Sequence, residues 1–161
     1  MYLPLTIFLS ILLTTSLFSR EINLNNIIDT ATKQHQQVFL FLHQTGCGYC
    51  DSMIQFTLDD DTIKPLIAKE FLYTDINVKE DDHVIYNDFE GSGKEFAIDI
   101  GYDFYPSSIF FNKNYEIIYA VVGYQEEDKF LHLLKYISSR AYKTMEFSSY
   151  AKGIGYEKKK H

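Results

Sequence analysis

The chain has 161 residues, enough for one compact domain with its own core and too few for two independent ones. Its 46% hydrophobic and 16% aromatic content, with only 8 Gly and 3 Pro, excludes a disordered or fibrous protein. The formal net charge is −7, and the one basic cluster, Lys158 to Lys160, has no aromatic interleaving, which argues against a nucleic-acid partner.

Met1 to Phe18 carry no charged side chain, and Arg20 and Glu21 follow at once. The apolar stretch, Leu3 to Leu13 and on toward Phe18, is short for a membrane span of about 20 residues and closes on small residues around Ser16 and Ser19. Residues 1–19 therefore read as a signal peptide cut near Ser19, with the mature protein periplasmic or otherwise extracytoplasmic. The usual positive n-region is missing, so an uncleaved membrane anchor stays open.

Next, Leu24, Ile27, Ile28 and Ala31 fall at i, i+3, i+4 and i+7, an amphipathic helix that Asn23 or Asn25 can cap. Val38 to Leu42 is a continuous apolar run, the pattern of a strand buried on both faces. Cys47-Gly48-Tyr49-Cys50 follows within five residues, loosened by Gly46 and Gly48, and Met53, Ile54 and Phe56 continue as the apolar part of a helix beginning near Cys47. Asp59 to Thr62 reads as a helix boundary before a short apolar face, Ile63, Leu66 and Ile67; it lacks the ligand spacing of a calcium loop. A strand spans Phe71 to Val78. Lys79 to Gly93 is expected to be a surface insertion, a loop or small hairpin around Val84-Ile85-Tyr86. A short helix over Lys94 to Ile100 precedes two strands, Ser108 to Phe111 and Ile117 to Val122, joined by Asn112-Lys113-Asn114 as a hairpin. Phe130, Leu133, Leu134 and Ile137 mark the last helix of a domain over residues 20–139, and a tail over 140–161 carries scattered apolar positions.

Cys47 and Cys50 are the only two cysteines. A bridge three residues long constrains little of the unfolded chain, so the pair makes a poor staple and a good redox couple. The thiolate is the attacking species, and a helix N-terminus favours it through unpaired amides and the dipole. Cys47 takes the place of nucleophile, and Cys50, almost one turn on, that of the thiol that resolves the mixed disulfide. A Cys-x-x-Cys is also half of many zinc sites, but no second cysteine pair exists and the five histidines are scattered, so neither a metal nor another cofactor is expected.

The run VFLFLHQTGCGYCDSM, Val38 to Met53, resembles the strand and active-site helix of thioredoxin-fold proteins. The segment KEFAIDIGYDFYPSSIFFN, Lys94 to Asn112, is similar to that family's short helix, loop, cis-proline and strand. The resemblance covers about Asn23 to Ser139 and is nearest the periplasmic SoxW-type group, with a softer match at Ala141 to Phe147. It implies an α/β fold with a central mixed sheet of about four strands flanked by helices. It makes Pro106 the candidate cis-proline facing the cysteines, and Tyr105, beside Gly48 and Tyr49, a binding position for an extended substrate. It further implies protein disulfides as substrates and a membrane thiol transporter as electron donor. The family's buried Asp, six residues before the first cysteine, is replaced by Phe41, and Gly46 stands where Trp is usual. His43, four residues before Cys47, reads either as a base or electrostatic partner or, more plainly, as a strand-end histidine facing solvent.

Gly48-Tyr49 is the intervening pair of the disulfide isomerase DsbC, but the isomerase's separate dimerisation domain has no room here. The expectation is therefore a monomeric reductase, with isomerase or oxidase chemistry as the alternative. A redox-inactive binding module, recognising a partner through Tyr102, Tyr105 and Tyr124, is the rival from another class.

Overall fold

A computed structural model describes residues 20–80 and 82–155; the leader reading at 1–19 and the lysines at 158–160 lie outside the described residues. Strand β1 (Glu21–Asn23) runs into helix α1 (Leu24–Lys33), whose N-cap Asn23 accepts the Asn26 N–H at 3.0 Å. Leu24, Ile28 and Ala31 form its buried stripe. Strand β2 (Gln37–His43) is followed by α2 (Gly48–Ser52), which continues as a π-helical segment Met53–Leu58, then α3 (Ile63–Glu70) and β3 (Phe71–Asn77). A hairpin, β4 (His83–Tyr86) and β5 (Phe89–Ser92), leads into α4 (Gly93–Asp99). Strands β6 (Ser107–Phe111) and β7 (Ile117–Val122) precede α5 (Glu127–Ser138), a 3-10 turn at Ala141–Lys143 and α6 (Phe147–Gly153).

The main sheet has four strands in the order β3-β2-β6-β7. β2 lies at its centre, parallel to β3 from Gln37↔Phe71 to His43↔Asn77 and antiparallel to β6. This is why Val38 to Leu42 are apolar without alternation: helices cover both faces. Val38, Leu40 and Leu42 pack with α1 and α4 through Leu24, Ile28 and Phe96. Phe39 and Phe41 face the other way, against Met53, Ile63, Phe130 and Leu134, and Phe39 stacks on Phe110 with ring centroids 4.9 Å apart. Each such side chain contributes about 1.5 to 3 kcal/mol by leaving water.

Two expectations are corrected. The polar stretch over Lys79 to Gly93 is more than a surface insertion: β4 pairs with β5 and also, in parallel, with β1, making a second sheet of order β1-β4-β5 with Val84 fully buried. The helix after the motif buries Cys50, Met53 and Thr57, at i, i+3 and i+7, while Ile54 and Phe56 are exposed. The wider π turn and the hydroxyl of Thr57, which donates to the Gln125 carbonyl at 2.7 Å, set that face instead of hydrophobicity alone. The tail docks: Phe147 and Tyr150 pack on Tyr136, whose hydroxyl donates to the Met145 carbonyl at 2.6 Å.

Candidate redox site

The chain leaves the C-terminal end of β2 at His43 and turns through Gln44, Thr45 and Gly46 into the motif. Gly46 has φ +78°, a conformation that glycine enters without a Cβ penalty. Asn77, the last residue of β3 and nearly buried, fastens this turn. Its Oδ1 accepts the Thr45 N–H at 3.2 Å, and its Nδ2 donates to Thr45 Oγ1 and to Glu80 Oε1, both at 2.8 Å.

Cys47 is the N-cap of α2, and Cys50 lies in its first turn. The two sulfurs form a disulfide with Cα atoms 5.2 Å apart, within the usual span of such bonds. Cys47 Sγ accepts the Cys50 N–H at 3.2 Å, so the helix N-terminus directs an amide at the first sulfur. Cys47 is partly exposed and Cys50 fully buried, an asymmetry that lets an incoming partner reach only the first.

Facing the pair is the Tyr105-Pro106 bond, which is cis. The Tyr105 carbonyl lies 3.9 Å from Cys47 Sγ, and Ser107 fixes the turn by donating from its hydroxyl to the Phe104 carbonyl at 2.6 Å. Pro106 is buried; its own carbonyl accepts from Gly123 N at 2.7 Å, tying the turn to the end of β7. The expected positions Cys47, Cys50, Gly48, Tyr49, Tyr105 and Pro106 therefore belong to the two segments that meet at this end of the sheet. Tyr49 and Phe104 are 72% and 70% exposed, large apolar rings left in water on either segment. Phe104 was not singled out from the sequence, where an aromatic in a loop carries no periodic signal.

The surrounding charges also come from outside the motif. His43 does not simply face solvent: its side chain is 17% exposed, stacks on Phe41, and sets Nε2 3.0 Å from Asp75 Oδ2. That hydrogen bond, with the nearby Arg20 charge, holds the Asp75 carboxyl below its ordinary value. Arg20 in turn forks onto the buried Asp82 at 3.0 and 2.8 Å and donates to the Asp75 carbonyl at 2.8 Å. Sequence spacing gave no sign of Asp75, Asp82 or Arg20, because β2–β3 register and the return of the N-terminal strand bring them together. Among the described residues, no group of three His, Cys, Asp or Glu is arranged to hold a metal ion, and no helix is long and apolar enough to cross a membrane.

A thioredoxin-fold protein from Helicobacter pylori superposes with a TM-score of 0.65 at 18% identity, over 74% of this chain and 84% of that one. A thioredoxin from Thermus thermophilus gives 0.57 at 19% identity, over 74% and 86%. The C-terminal domain of DsbD from Neisseria meningitidis, in its reduced form, gives 0.53 at 18%, over 70% and 91%. At these identities the likeness carries the fold alone. No curated protein matches the chain. The sequence profile described as a thioredoxin-like domain matches residues 24–138, a span that takes in the main sheet, both cysteines and the cis-proline. With fold, site and profile in agreement over most of its length, the chain belongs to the thioredoxin-like domain family.

Proposed function

We propose that the protein is an extracytoplasmic thiol-disulfide oxidoreductase that reduces disulfides in other proteins. The observation that carries this reading is the Cys47–Cys50 pair, bonded at the N-terminus of α2 and faced by the cis Tyr105-Pro106 turn. In the reduced pair, Cys47 thiolate attacks a substrate sulfur, forming a mixed disulfide and releasing the first substrate thiolate. Cys50 then gives up its proton and attacks Cys47, the mixed disulfide breaks, and the second substrate thiolate leaves. Two electrons have passed from the pair to the substrate, and the observed disulfide is the product state. The peptide groups beside Pro106 are placed to align an extended substrate next to Cys47, and Tyr49 and Phe104 offer it apolar contact.

The intervening pair Gly48-Tyr49 supports reduction as the direction, with isomerase chemistry as its alternative, and a membrane thiol carrier would regenerate the reduced pair. The apolar Met1 to Phe18 segment supports export. Within the family, the run Ala141 to Phe147 supports placement with the SoxW-type group.

Equilibration with glutathione tests the direction. A reductase lies at or below about −200 mV, whereas a value near about −120 mV, that of a strong oxidant, overturns the assignment.

A further inference from the structure

The exchange cycle needs an acceptor for the proton that Cys50 loses, and the position where the family places a buried acid holds Phe41. Strand and helix geometry show what lies there instead. Phe39, Phe41 and His43 alternate onto the same face of β2, the face covered by α2 and its π-helical continuation. Met53 packs into the cluster of Phe39 and Phe41, and Cys50 is buried on the same side of the helix, one turn closer to its N-terminus. The helix runs antiparallel to β2, as a crossover between parallel strands requires, so stepping back from Met53 to Cys50 moves along β2 from Phe41 toward His43. Only three residues, Gln44 to Gly46, separate His43 from Cys47, and Asn77 pins their turn to β3.

His43 is held as an oriented base is held. The Asp75 carboxylate accepts from Nε2, which leaves Nδ1 of the neutral ring as an acceptor. Among the described residues Nδ1 has no hydrogen-bond partner, and it is not sealed from solvent. The charged group on the ring is Asp75 of β3, which also meets Arg20 ahead of β1; Asp82 binds Arg20, Glu80 accepts from Asn77, and Asp51 on α2 is exposed.

We propose that His43, oriented by Asp75, takes the proton of Cys50 through a bridging water as Cys50 attacks the mixed disulfide. The Cys50 S–H bond breaks, an Nδ1–H bond forms, the Cys47–Cys50 bond closes and the substrate sulfur departs as a thiolate. The inference rests on the exchange reading and assigns the proton acceptor that reading lacks.

Stopped-flow reaction of the reduced protein with dithiobis(nitrobenzoate) separates the two steps. Attack by Cys47 releases one thionitrobenzoate, and resolution by Cys50 releases the second. In His43→Ala the second release slows at least about tenfold while the first stays within about twofold, and imidazole in the buffer restores the second. Asp75→Asn, which preserves shape, slows the second release in the same direction. A second release unchanged in both variants overturns the proposal, as does a loss that falls equally on both steps and ignores imidazole. A wild-type protein that releases no thionitrobenzoate overturns the exchange reading itself, so the two failures are distinct.

Discussion

Asp75 gathers two partners, the His43 ring at 3.0 Å and the Arg20 guanidinium at 3.7 Å, on a carboxylate that is only half-buried. The His43 hydrogen bond, and after it the Arg20 charge, favours the ionised form and depresses its pKa in the folded state. An unfolded Asp titrates near about 3.9, so the stabilisation is fully present above that value and is lost as pH falls through the lower, folded one. Asp75→Asn removes this proton uptake. Its acid unfolding, followed by circular dichroism below about pH 4, is therefore shallower than that of the wild type. Equal slopes would mean that the contacts to His43 and Arg20 do not form in solution. Such a group is hard to read from sequence: Asp75 and His43 are 32 positions apart, and only the parallel register of β2 and β3 makes them neighbours. The cysteine pairing, by contrast, was legible from the three-residue spacing, and the cis bond before Pro106 from the likeness of its segment to the family.

At the level of elements, α4 shows how closely helix and sheet approach below the site. Ser92 and Glu95 form a reciprocal capping box, and a Cβ placed on Gly93 would meet Ile76 Cγ2 at 2.6 Å. Ile76 is fully buried and that methyl sits on a branched carbon, so it has no free torsion with which to yield. Gly93→Ala lowers stability by about 1 to 3 kcal/mol in urea unfolding, although the change would favour a free helix. An unchanged midpoint would show that α4 can slide on β3. The strands and helices that were legible are those whose partners lie within one apolar pattern, such as Val38 to Leu42 and the stripe from Phe130 to Ile137. Two features were hidden for opposite reasons. β1 is three residues long and owes its existence to backbone pairing with β4, whereas the helix over 53–58 carried a convincing apolar signal that its π turn directs partly into water.

Across the whole molecule, one four-stranded sheet separates two apolar clusters, and the cysteine motif sits where the central strand leaves it. Arg20, just ahead of β1 in the second sheet, ties that sheet to β3 and joins the charge network beside the site. The tail closes the other cluster through α6, with Phe147 and Tyr150 against Tyr136. The arrangement brings together the partly exposed Cys47, the buried Cys50 and a facing wall at Tyr105-Pro106. The most direct test is dithiothreitol-driven reduction of insulin by the chain from Arg20 onward. The wild type accelerates insulin precipitation over the uncatalysed reaction and Cys47→Ser does not; equal rates for the two proteins would contradict thiol-disulfide exchange at this site.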